Sequence, residues 1–209
     1  MATIGLFPLE LALVPTERVP LHVFEPRYKE LVGECIERGE EFGVVLVKEN
    51  GDLHHVGTRA AVADVLQVLR DGRMHVIVEG RERFRLLEVD HERAFDTATI
   101  EEVADEDDPP DAADVERVHA TFARLQQTVG APGEPPDPAS PRFDFEVVAR
   151  VDFSSATKQE LLELTSPRLR LARLAVLLER AVSALEIDQQ LRRRAHGNGK
   201  VSPPAAPQG

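Results

Sequence analysis

A metal centre needs at least three donor side chains that converge, and the seven histidines of this sequence are the first candidates. His54 and His55 are neighbours in a segment that reads as strand, where consecutive side chains point to opposite faces, so both cannot easily reach one ion. His22, His75 and His91 fall on other predicted strands. Surface or half-buried imidazoles are the simpler reading, and no metal or cofactor is expected. Cys35 lies on the apolar side of a predicted helix and reads as a small core hydrophobe, because burial raises a thiol pKa and quenches its reactivity. As the single cysteine it can form no disulfide within the chain, which fits a reducing cytosol.

Phosphate and acyl chemistry find little support either. The only Gly-Lys pair, Gly199-Lys200, is followed by Val201, so the G-x-x-x-x-G-K-S/T cradle for a nucleotide is absent. There is no G-x-S-x-G and no H-E-x-x-H. The lysines stand at 29, 48, 158 and 200, and the single S-x-x-K match, Ser155-Ala156-Thr157-Lys158, stands without the S-D-N or K-T-G that accompany it in a serine–lysine enzyme. No catalytic residue is therefore assigned.

Two charged clusters remain. In EGRERFRLLEV, Arg81, Arg83 and Arg85 share one face by the period of two. That face reads as solvated or ion-paired, with a basic stripe for an acidic partner as the functional alternative. The stretch EEVADEDDPPDAAD at 101–114 reads as a solvated acidic linker, since it lacks the glycine and spacing of a calcium loop. The net charge is -12, which repels phosphate backbones and disfavours nucleic acid; Arg192-Arg193-Arg194 is only a local exception. The N-terminus, MATIGLFPLELALVP, lacks the basic start and unbroken apolar run of a secretory signal, and no window approaches a membrane span. A soluble cytoplasmic protein is expected.

The elements that must position these residues change character near residue 104. Val19, Leu21 and Val23 alternate as a strand, and Pro26 opens a helix whose apolar positions Tyr28, Leu31, Val32, Cys35 and Ile36 lead to a stop at Gly39. Turn signals at Asn50-Gly51 and Asp71-Gly72 separate β-branched runs, Gly80 reads as a bulge or corner that breaks its strand, and FDTATIEEV supplies a further strand. Beyond the acidic stretch the spacing of Val115, Val118, Phe122, Leu125 and Val129 predicts a helix over 112–129. The Pro-rich loop GAPGEPPDPASP follows at 130–141, then a short helix at 143–151. Thr157 with Glu160 predicts a capping box ahead of LLEL, and Ser166-Pro167 starts a long helix through about Arg194 with a stripe of Leu171, Leu174, Leu178, Val182 and Leu185. The fold class expected is α+β: a partly closed β-barrel with one early helix over 1–104, a helical bundle over 105–195, and a disordered tail at 196–209.

Three blocks, in order, resemble the substrate-recognition domain at the N-terminus of Lon proteases. They are LFPLELALVPTERVPLHVFEPRYKELV at 6–32, DLHHVGTRAAVADVLQVLRDGRMHVIVEGRERFRLLEV at 52–89, and KQELLELTSPRLRLARLAVLLERAVSAL at 158–185. The resemblance implies a PUA-like pseudobarrel followed by a helical bundle. It implies a module that recognises unfolded or degron-bearing polypeptide, alongside a protease or AAA+ partner. The sequence ends where the ATPase and serine–lysine peptidase of a full-length Lon would begin, so a non-catalytic adaptor is expected. PUA-type barrels also bind RNA or serve as scaffold subunits; the acidic balance and the absence of tryptophan count against RNA. Phe24, Pro26, Arg27 and Tyr28, at a strand-to-helix corner, are the candidate peptide-binding residues, bordering a groove between barrel and helices. The simpler alternative is that Phe24 and Tyr28 pack the first helix onto the barrel. A weak homodimer could add avidity through the leucine stripe, which burial against the chain's own barrel would explain equally well.

Overall fold

The first half of the chain builds one sheet that closes on itself. In the computed structural model, residues 1–198 are described, with side chains described through Arg192. The strands are β1 (Ala2–Leu9), β2 (Arg18–Val23), β3 (Phe42–Leu46), β4 (Val56–Val68), β5 (Met74–Asp90) and β6 (Thr97–Glu102), in the order β2-β5-β4-β3-β1-β6. A further β5–β6 pairing closes the ring. Closure is possible because β5 runs for 17 residues: its first half pairs with β2 and its second with β6, while β4 lies along its other edge. β1 pairs parallel with β3, a union that needs the intervening helix α1 (Pro26–Arg38) as its crossover.

α1 forms as its sequence dictates. Pro26 occupies the first turn, and Gly39 takes the left-handed conformation at φ 67° with its N–H on the Cys35 carbonyl. Tyr28, Leu31, Val32 and Cys35 are buried against the inner faces of β1–β5, although Ile36, at the margin of the apolar stripe, is exposed. The barrel is thus filled by Phe7, Leu21, Val23, Phe42, Val76 and Val78 with α1 across it.

The second half holds α2 (Ala112–Val129), α3 (Phe143–Val148), α4 (Ser155–Glu163) and α5 (Pro167–Asn198). Arg117 pairs with Glu179 and Arg124 with Glu186, so the contacts advance seven residues along each helix together and α2 and α5 run parallel. Val118, Phe122 and Leu125 meet Leu171, Leu174, Leu178 and Val182 in a separate core. Among the described residues, the barrel contributes only Val14 and Val56 to it.

Several local expectations are corrected. The N-cap of α4 is Ser154, whose hydroxyl accepts the Thr157 N–H, so Thr157 is the capped residue and not the cap. His54 and His55 lie between strands, not on one. Gly80 does not break its strand. β5 continues through it and bulges just beyond, with Arg81 and Glu82 opposite Arg59. Glycine is required there because a Cβ would stand 2.1 Å from the Val14 carbonyl oxygen. The bulge takes Arg81 out of the period of two, while Arg83 and Arg85 stay in register opposite Thr58 and Val56. Arg81 and Arg85 are half-exposed beside Glu79 and Glu101, whereas Arg83 is buried because the helical half covers it.

The acidic stretch is exposed along most of its length, as a solvated linker would be, but it is anchored and not free. Asp105 accepts two bonds from Arg170 at 2.9 and 2.7 Å and one from Arg83, and Asp108 accepts from Ser166 at 2.5 Å and Arg168 at 3.0 Å. Arg83 reaches out of β5 to the carbonyls of Leu162 and Leu164, both at 2.9 Å. Arg170 also holds Asp144 at 2.5 Å and lies 4.4 Å over the Phe145 ring. The partners of Asp105 are 22 and 65 residues away, which is why the segment looked unpartnered in the sequence. The part of the expected tail from residue 199 onward lies outside the described residues.

Candidate functional site

The corner between β2 and α1 carries the residues singled out above, and the fold treats each differently. Val23 points into the barrel, so the next residue, Phe24, faces out and is 59% exposed. Pro26 fixes the first turn of α1 and does not line the adjoining cavity. Arg27 is held by Glu25, its Nε donating at 2.9 Å, and its guanidinium lies 4.5 Å over the Tyr28 ring. Tyr28 is buried and stacks on Phe7 with centroids 4.2 Å apart. Burial raises the Tyr28 pKa, the neighbouring Arg27 charge offsetting part of that, and the phenol stays neutral.

Beside this corner is a cavity of about 330 Å³. Its wall is apolar, formed by Phe7, Leu9, Leu21, Val47 and the Tyr28 ring, with Phe24, His22, Glu10, Glu25 and Arg27 around it. His22 holds Phe24 edge-on at 5.6 Å and pairs across the strands with His75, their rings 4.3 Å apart. The lining residues all come from 7–47, so the cavity belongs to the barrel and does not lie in the seam between barrel and helices where a groove was expected. That seam is closed at several points by side chains: Arg83 on Leu162 and Leu164, Lys158 on Glu17 at 2.5 Å, and Gln159 on the Val56 carbonyl at 3.0 Å.

Sequence reasoning missed Phe7, Leu9, Leu21, His22 and Val47 as parts of one cavity. β1 and the end of β3 reach it through parallel pairing, a non-local union with no local signature. His22 could have been found, since it alternates outward between the inward Leu21 and Val23.

The arrangement can hold one or two large apolar side chains beside an exposed ring, with carboxylates at the rim. It contains no nucleophile poised beside a base. Burial pushes the Cys35 thiol up to about 11, which keeps it unreactive within the core. Among the described residues, no group of three or more His, Cys, Asp or Glu could hold a metal ion, and no helix is long and apolar enough to cross a membrane. His54 lies on Glu163 at 3.1 Å and His91 on Asp96 at 2.7 Å.

Comparison with known proteins gives a consistent answer. A family described as the ATP-dependent protease La (LON) substrate-binding domain matches residues 3–180. The Lon protease of Parabacteroides distasonis is 30% identical over 213 aligned positions, covering 93% of this chain and 26% of that protein. The Lon protease of Methylocella silvestris is 25% identical, covering 77% of this chain and 22% of its own length. The chain therefore spans about a quarter of these curated relatives. Among solved structures, a Lon N-terminal domain protein from Xanthomonas campestris superimposes with a TM-score of 0.64 at 24% identity, over 84% of this chain and 98% of the other. The N-terminal domain of the Mycobacterium avium complex Lon protease does so at 0.63 and 14% identity, over 87% and 98%. These two likenesses show a shared fold.

Proposed function

This chain belongs to the ATP-dependent protease La (LON) substrate-binding domain family, and from that premise we propose that it recognises unfolded or degron-bearing polypeptide and performs no chemistry of its own. The family supports a substrate-recognition module. The observation that supports the finer reading is Phe24, a large aromatic side chain left 59% exposed at the mouth of an apolar cavity. Aromatic anchors in apolar pockets carry most of the energy at interfaces, and an unfolded chain presents the large apolar side chains that such a pocket accepts. The rigid surroundings favour this role: Phe24 lies between β2 and α1, and His22 braces its edge.

In this reading the protein is a cytoplasmic adaptor that passes its cargo to a protease or AAA+ partner. A single site of this size binds weakly, and weak self-association would compensate through avidity. The test is a parallel titration of the purified chain with a reduced and alkylated unfolded polypeptide, the same polypeptide folded, and an RNA oligomer. Saturable binding to the unfolded form alone, with no hydrolysis of ATP or casein, is the expected result. Binding of the RNA at physiological salt, or turnover by the pure protein, would overturn it.

A further inference from the structure

We propose that the helical half of the chain, α2–α5, opens from the barrel as a body, released by a polar clasp centred on Arg83. The two halves have separate cores, and among the described residues only Val14 and Val56 of the barrel are buried in the helical one. The other contacts across the seam are polar. Arg83 donates to Leu162, Leu164 and Asp105; Lys158 pairs with Glu17; Gln159 donates to the Val56 carbonyl; Arg142 pairs with Glu82. An interface of this composition differs from a domain core, and interfaces that are more polar than a core permit relative motion of the parts they join.

Two further features point the same way. Thr16, in the turn that carries Glu17 to Lys158, has φ 69°, a left-handed conformation that a β-branched residue rarely adopts, and its hydroxyl is buried without a hydrogen-bond partner. The same turn and α3 border a cleft of about 440 Å³, open to solvent, between Thr16, Arg18, Glu146 and Arg150. The seam is therefore strained at the Thr16 turn and open to solvent beside α3.

The connection allows the motion. Among the described residues, the chain passes from barrel to helices once, between β6 and α2. Asp105, Glu106 and Asp108 are bound to the α4–α5 junction and travel with it, while Val103 donates to the Arg83 carbonyl and stays with β5. The pivot falls at Val103–Asp105. Opening frees Val14 and Val56 on one side and the Leu162 carbonyl on the other, while the Leu164 carbonyl keeps its bond from Arg170. This exposes a second apolar strip flanked by a main-chain acceptor, independent of the Phe24 cavity.

The experiment places a thiol in the seam with Val56→Cys and keeps the native Cys35, buried in the barrel core, as the reporter of global unfolding. Alkylation is followed at each site by mass spectrometry of the full chain under native conditions. The thiol introduced at position 56 is expected to react at least about tenfold faster than Cys35. Adding Arg83→Met, which takes the side-chain donor from the Leu162 carbonyl and one of two from Leu164, raises the rate at position 56 by a further tenfold or so and leaves Cys35 unchanged. If that variant fails to fold, Lys158→Gln applies the same test through the Glu17 contact. Equal rates at the two thiols, or a rate at position 56 unmoved by loss of the clasp, would overturn the proposal.

Discussion

Thr16 is the residue at which the fold conflicts most with side-chain preference. In the turn Val14–Glu17, Glu17 donates its N–H to the Val14 carbonyl, Pro15 holds the second position, and the positive φ falls on the third, where glycine is favoured. A left-handed conformation costs a residue with a Cβ about 1–2 kcal/mol, and glycine returns part of that through its freer unfolded state. Thr16→Gly is therefore expected to stabilise the chain by about 0.5–1 kcal/mol, read as a higher urea midpoint at unchanged slope. Gly80→Ala has the opposite sign, because its new Cβ meets the Val14 carbonyl of the same turn. A loss of about 3 kcal/mol in the same measurement is expected, as overpacking against backbone has no flexible side chain to give way. Single residues of this kind were only partly legible. Gly80 was noticed as irregular, but the reason lies in a segment 66 residues earlier that no local pattern reports. Phe24 and Tyr28 looked alike in sequence, and only the closing of the barrel separates the exposed ring from the stacked one.

Among elements, α5 is fixed at its start by charge. Arg170 is buried with Asp105 and Asp144 as its partners, and removing one member of a buried ion network leaves the others uncompensated. Arg170→Met is expected to cost about 3–5 kcal/mol by chemical denaturation, and Arg170→Lys to recover little, because the bidentate grip on Asp105 needs a guanidinium. The pH dependence follows from the same cluster. Burial alone would raise the carboxyl of Asp105, but the hydrogen bonds and charge of Arg170 and then Arg83 outweigh it and hold Asp105 below its ordinary range. The stability it contributes is present above the unfolded-state value of about 3.9 and is lost as pH falls through the lower folded-state value. The urea midpoint of the wild type should fall below about pH 4, and Asp105→Asn should flatten that fall. A slope the same in both would contradict the assignment. Helices were the most legible elements: α2 occupies 112–129 and α5 begins at Pro167, as periodicity and the Ser-Pro signal indicated. The acidic stretch and the arginine face were legible only in part. Asp105 is anchored by partners distant in sequence within a segment that is otherwise exposed, and Arg83 is buried while Arg81 and Arg85 are ion-paired at the surface as read.

For the molecule as a whole, a barrel with an early helix followed by a helical bundle is the fold that the three sequence blocks implied, and the family comparison agrees. The parallel pairing of α2 with α5 is seen only in the structure. The cavity was legible only at one wall. Its Phe24 corner is continuous in sequence, whereas Phe7, Leu9 and Val47 arrive through β1–β3 pairing. The net charge of -12 adds a constraint on cargo: basic unfolded segments should associate faster than acidic ones, an advantage that disappears as salt is raised. Stopped-flow association at two ionic strengths reads this directly. The central claim rests on Phe24, and the most direct measurement compares Phe24→Asp with Leu66→Asp. Leu66 is a comparably exposed apolar residue, 62% accessible on β4 and away from the cavity. Binding of a fluorescent unfolded polypeptide is followed by anisotropy, with circular dichroism confirming that each variant is folded. Loss of at least about tenfold in affinity for Phe24→Asp, with Leu66→Asp unchanged, is the result predicted for an anchor residue. Equal affinity for wild type and Phe24→Asp would contradict it.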